Sequence, residues 1–124
     1  TYLKDKVMQL GYLSHAEVLS EYNEASVLLL LLFNSKSGIG NYPGKIFEYF
    51  AAKRFILAFG PENSDTEKLI KKTKTGIYFS YDKINLKNDI LDLFKNENQF
   101  NFENIESFSR EKLTKDLTGL LNNI

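Results

Sequence analysis

The run Val27 to Phe33, VLLLLLF, constrains this chain more than any other stretch. It falls far short of the ~20 apolar residues needed to cross a bilayer, and it lacks the alternation of a strand with one wet face. An unbroken apolar run of this length is the pattern of a strand covered on both sides, as in parallel sheets held between helices. The run therefore predicts an α/β fold, and its flanks should supply partner strands and crossover helices.

They do. Upstream, Val7 to Leu13 (VMQLGYL) reads as a strand. Ser14 and Glu17 then have the spacing of a capping box, and Val18, Leu19, Tyr22 and Ala25 recur at helical intervals, leaving one apolar stripe to bury. Downstream, Asn34 to Pro43 is a loop rich in Gly, Ser and Asn, Pro43 suits a helix start, and Gly44 to Ala52 is that helix. Phe55 to Phe59 is a strand broken by GPENS, Ser64 and Glu67 repeat the capping-box spacing before the helix DTEKLIKKTK, and Gly76 opens the last strand. Ile90, Leu93 and Phe94 mark a further helix, and Leu113, Leu117, Leu120, Leu121 and Ile124 a longer one, with the polar connector NENQFNFENIE between them. The expected architecture is a single domain over residues 1–124: a Rossmann-like open parallel sheet of about four strands, with right-handed crossovers and helices on both faces.

Charge excludes some partners. Lys plus Arg and Asp plus Glu each number 16, so no whole-domain field draws in nucleic acid or anionic lipid. The basic run Lys68 to Lys74 has no interleaved aromatics for bases and reads as a solvated helix face. Cysteine is absent, which removes disulfides, thiolate metal sites and a cysteine nucleophile, and fits a cytoplasmic location. The N-terminus begins at Thr1 without an initiator Met and has no signal-peptide pattern. No Asp, Glu and His cluster has metal-ligand spacing, no serine has an evident base partner, and His15, the one histidine, is expected at the surface.

In open α/β sheets ligands bind beyond the carboxyl ends of the strands, which selects two loops, Asn34 to Pro43 and Gly60 to Ser64. The first leads into a helix whose free amides favour an anion, although SGIGNYPGK has the spacing of neither G-x-G-x-x-G nor G-x-x-x-x-G-K-[ST]. Lys45 and Glu48, three apart, share a helix face. As a surface ion pair they would contribute only ~0.2–0.5 kcal/mol, and the lysine sits in the first turn, where the helix dipole repels a cation. A bound anion shared between Lys45 and the helix N-terminus removes that conflict, and Glu48 can then accept hydrogen bonds from two adjacent hydroxyls, as a carboxylate does with ribose. Tyr42 lies in the same loop, whereas the other tyrosines are expected at the edge of the core.

Four blocks together, V-x-x-L-G-Y-L-S-H-A-E-V, A-S-V-L-L-L-L, Y-P-G-K-I-F-E-Y-F-A-A-K-R-F-I-L-A and T-G-I-Y-F, resemble the C-terminal half of GT-B-fold glycosyltransferases of the family 4 type, from about Val7 to the end. The resemblance implies the donor-binding part of a retaining, metal-independent transferase of glycan or polysaccharide biosynthesis, with a nucleoside diphosphate sugar as donor substrate and no cofactor. It implies that Glu48, matching the second glutamate of the family's motif, binds the ribose. It also implies that the loop Asn41, Tyr42, Pro43 and Gly44 lies near the diphosphate, and that Lys45 matches the lysine of a P-x-K-x-x-E-Y subgroup. The first glutamate, which contacts the transferred sugar, falls here at Gly40. The glycine and proline usual after the helix are replaced by Lys53 and Phe55.

The same resemblance implies that the chain is a fragment, inactive alone, lacking the N-terminal acceptor domain and two strands of the donor domain. Any peripheral membrane association would run through those parts, and no catalytic residue is assigned. Two strands missing beside Val27 to Leu32 leave sheet edges exposed, so a homodimer or swapped arrangement is expected. The rival reading is a non-enzymatic α/β module for signalling or oligomerisation. For a receiver-type module, however, VLLLLLFNSKSG offers no phosphorylatable aspartate at the strand end.

Overall fold

The computed structural model describes residues 3–83, 85–95, 102 and 105–124. Three strands, β1 (Val27–Leu31), β2 (Phe55–Gly60) and β3 (Gly76–Ser80), form a parallel sheet in the order β1-β2-β3. The register aligns Val27 with Phe55 and Ile56 with Gly76. Helix α1 (His15–Glu24) precedes the sheet, a short α2 (Lys36–Ile39) and α3 (Lys45–Ala52) join β1 to β2, and α4 (Asp65–Thr73) joins β2 to β3. Helices α5 (Leu86–Lys95) and α6 (Arg110–Asn122) follow. The α/β class and the open parallel sheet agree with the expectation from sequence.

The core lies on one face. Leu28, Leu30 and Leu32, with Ile56 and Ala58 from β2, meet Ile46, Tyr49 and Phe50 of α3 and Leu69 and Ile70 of α4. Ile46, Ile56 and Ile70 are wholly buried, and each such side chain contributes about 1.5–3 kcal/mol relative to an exposed one. Ile105 and Phe108 pack against this cluster, and the Phe108 ring lies 6.2 Å from that of Phe50. On the opposite face, Ile90, Leu93 and Phe94 of α5 line a cavity together with Phe55 and Leu57. Phe59 and Phe79 pair there at 5.8 Å, with the Lys83 ammonium 4.7 Å from the Phe79 ring. Helix α6 keeps its apolar stripe, Leu113, Leu117, Leu120 and Leu121, exposed.

Three expectations are corrected. The segment from Val7 to Leu13 is not a strand. It is irregular and pairs with nothing among the described residues, and Val7, Met8, Leu10 and Tyr12 are exposed, so the sheet has three strands rather than about four. Strand β1 is covered on one face only: Leu29 is 52 % exposed, Leu31 62 % and Phe33 80 %. Among the described residues no helix covers Leu29, Leu31 and Phe33, and an unbroken apolar run carries no record of which face is covered, so the pattern alone misplaces it. The loop from Asn34 to Pro43 contains α2, and Gly38 is required within it because a Cβ there would lie 2.2 Å from the Phe33 carbonyl oxygen. Most of the connector NENQFNFENIE lies outside the described residues, but its end folds as a 3-10 turn, Ile105–Phe108.

The first capping box forms in full. The Glu17 amide donates to Ser14 Oγ at 3.3 Å, and the Ser14 amide donates to the Glu17 carboxylate at 2.7 Å, which holds the Glu17 carboxyl below its ordinary range. The second forms by half: Ser64 Oγ caps the Glu67 amide at 3.0 Å, but the Glu67 carboxylate accepts from Asn63, at φ +60, instead of from the cap residue.

Candidate functional site

Both candidate loops leave the carboxyl ends of their strands, and the fold ties them together. Thr66 Oγ1, in the first turn of α4, donates to the Asn41 carbonyl at 2.8 Å, anchoring the chain just before α3. The β2–α4 loop is filled by a side chain from β3. Tyr78 Oη accepts from Ser64 Oγ at 2.9 Å and donates to the Pro61 carbonyl at 2.7 Å, and Gly60 is needed because a Cβ there would lie 2.2 Å from that hydroxyl oxygen. The Gly60 to Ser64 loop therefore serves as a support, and the α2–α3 loop is the one left open.

Helix α3 starts without a side-chain cap: Gly44 precedes it in helical conformation. The Ile46 amide donates back to Pro43 at 3.0 Å and the Phe47 amide to Gly44 at 3.3 Å, a tightened first turn. The amides of Gly44 and Lys45 lie ahead of these bonds, at the positive end of the helix. Asn41, Tyr42, Gly44 and Lys45 are all exposed there. Lys68 of α4, near Tyr42, has its pKa raised by its hydrogen bond and ion pair with Asp65 at 2.9 Å. Gly40, at the end of α2, has φ −94, and a Cβ there meets open space.

Glu48 sits one turn into α3, half-buried, on the side facing α1. Two tyrosines mark its surroundings. The Tyr22 ring of α1 meets that of Tyr49 edge-on at 5.0 Å. Burial raises both hydroxyl pKa values, and the negative charge of Glu48 adds to each shift. Among the described residues neither Lys45 nor Glu48 forms an ion pair, so this is not the surface salt bridge that their spacing would otherwise suggest. Lys45, Glu48 and Tyr49 fall within an arc of about 100° around the helix. That arc opens toward the free edge of β1, where Tyr49 Oη donates to the Leu29 carbonyl at 3.1 Å.

The structure thus gathers Asn41, Tyr42, Gly44 and Lys45 at the start of α3, with Glu48 one turn below and Gly40 beyond the end of α2. Sequence reasoning missed Tyr22, Tyr49 and Thr66 as neighbours of this site. Tyr22 is visible in the apolar stripe of α1, but only the packing of α1 on α3 brings it to Glu48. His15 is exposed on α1, as expected. Tyr49 and Tyr78 are buried, Tyr12 is fully outside the core, and Tyr2 lies outside the described residues.

A cavity of about 300 Å3 lies elsewhere, at the amino ends of β1 and β2, lined by Ser26, Lys53, Arg54, Leu57, Ile90 and Phe94 among others. It is at the opposite end of the strands from the start of α3 and shares no residue with the site above. Among the described residues no group of three or more His, Asp or Glu is placed to hold a metal ion, and no helix is long and apolar enough to cross a membrane. No family model, curated protein or solved structure matches the chain.

Proposed function

We propose that the chain is the donor-binding part of a retaining glycosyltransferase and that α3 receives a nucleoside diphosphate sugar. The observation carrying this reading is the pairing of two unneutralised opposite charges on one arc of α3. Lys45 stands at a helix start whose leading amides suit an anion, and Glu48, one turn in, has no ion-pair partner among the described residues. An anion shared by Lys45 and the amides of Gly44 and Lys45 would be the diphosphate. The Asn41–Pro43 loop, fixed by Thr66, would line it, and Tyr42 is exposed beside it.

The Glu48 carboxylate would then accept from the two ribose hydroxyls. Gly40 would face the transferred sugar without the carboxylate that the family carries there. The part played by this chain is binding and orientation. Acceptor activation would belong to an acceptor domain outside residues 1–124, so these residues alone should transfer nothing. Calorimetry with UDP and GDP against wild type and Glu48→Ala tests the reading: binding by wild type that the variant weakens supports it, and equal binding by both removes the ribose contact.

A non-enzymatic assembly module is the second reading, favoured by the open edge of β1 and the bare stripe of α6. A stable oligomer that binds neither nucleotide would select it.

A further inference from the structure

Two apolar pieces of this chain have no strand partner among the described residues, and they fit each other. The first is the free edge of β1. Because the Leu32 amide donates to the Phe59 carbonyl, the even-numbered residues of β1 direct their backbone groups to β2. By alternation, Val27, Leu29 and Leu31 direct theirs outward, where an unpaired strand edge is a template for another strand. The second piece is Val7 to Gly11, irregular and unpaired among the described residues, with Met8 82 % exposed and Leu10 49 %. Within one copy this segment stays off its own β1. Its junction with α1 passes through Gly11 at φ +72, a conformation that glycine adopts readily and other residues seldom do.

We propose that Val7 to Gly11 of one copy lies along β1 of a second copy as a parallel strand, reciprocally, giving a strand-exchanged dimer. Two features select the direction and register with Val7 beside Val27. Met8 and Leu10 then turn to the helix-covered face with Leu28 and Leu30, while Gln9 turns to the open face beside Leu29, so the apolar and polar alternation of the segment matches the two faces of the sheet. The lysines ahead of the segment, Lys4 and Lys6, then come to the amino end of β1, the end at which α1 leaves the exposed Glu24, whereas an antiparallel segment would carry them to the other end of β1. The Leu29 amide donates to the Met8 carbonyl, and the Leu10 amide donates to the Leu29 carbonyl. That oxygen already accepts from Tyr49 but has a second lone pair. Exchange of a short element through a hinge is a low-cost route to a dimer.

The absence of cysteine makes the test direct. Aligned residues on neighbouring strands are about 4.8 Å apart, inside the range a disulfide spans. A Gln9→Cys chain is mixed with a Leu29→Cys chain under oxidising conditions, and each is also oxidised alone. The expected result is a disulfide-linked species at twice the 14.3 kDa chain mass in the mixture and in neither single variant, with wild type sedimenting as a dimer. Three results overturn the proposal: no cross-link in the mixture, a Leu29→Cys homodimer indicating that β1 pairs with itself, or a monomeric disulfide when both substitutions are made in one chain. Deletion of residues 1–11 should leave a folded monomer, and a deletion that still dimerises would equally refute it.

Discussion

The Tyr49 hydroxyl, carried by α3, donates to the main-chain carbonyl of Leu29 on the free edge of β1 at 3.1 Å. That bond ties the helix carrying Lys45 and Glu48 to the one strand edge left open on its side of the sheet. Tyr49→Phe keeps the edge-on contact with Tyr22 and removes the bond. The expected cost is about 0.5–1.5 kcal/mol, read as a lower urea midpoint with an unchanged slope. An unchanged midpoint would mean that the carbonyl is already fully served by solvent.

Tyr78 carries the β2–α4 loop. Its hydroxyl serves both Ser64 and Pro61, and burial holds its pKa above the ordinary 10.0. Because the folded value is raised, the stabilisation is fully present below about pH 10, the unfolded tyrosine value. It is lost as pH rises through the folded value, since the unfolded chain ionises first. Tyr78→Phe should lose about 1–3 kcal/mol at neutral pH by taking the partner from the buried Ser64 hydroxyl and the part-buried Pro61 carbonyl. Its stability should also fall less steeply than that of wild type above pH ~10. Denaturant midpoints measured from neutral to strongly alkaline pH check both.

Two glycines give opposite expectations. At Gly76 a Cβ would lie 1.9 Å from the Ile56 carbonyl oxygen, backbone against backbone where β3 meets β2. Gly76→Ala should destabilise the sheet by about 3 kcal/mol or more. At Gly40 a Cβ meets nothing within 4 Å and φ is −94. Gly40→Glu should stay within about 0.5 kcal/mol of wild type. If Gly40 faces the transferred sugar, that variant should also bind a nucleotide sugar more tightly than the free nucleotide, by a larger ratio than wild type does.

The elements legible in the sequence are those fixed by local chemistry. The Ser14–Glu17 box, the strand Phe55 to Gly60 and the helix after Ser64 follow from spacing that acts within a few residues. The errors arose where the deciding contact is distant. VLLLLLF has the composition of a central strand, and nothing local tells it that Leu29 and Leu31 face outward. Val7 to Leu13 has the apolar density of a strand but lacks a neighbour in the single chain. In the site, the Lys45–Glu48 spacing was legible. The tyrosines beside Glu48 were not, because Tyr22 reaches it only through the packing of α1 on α3.

The ribose contact of Glu48 is the central claim, and a thermodynamic cycle measures it most directly. UDP and 2′,3′-dideoxy-UDP are each titrated into wild type and Glu48→Ala by calorimetry, with circular dichroism confirming that both proteins are folded. Wild type should lose tenfold or more in affinity when the two hydroxyls are removed, about 1.4 kcal/mol, while Glu48→Ala, already weakened toward UDP, should distinguish the two ligands by less than twofold. Wild type that binds both ligands equally would contradict the account, as would wild type that binds neither these nor GDP.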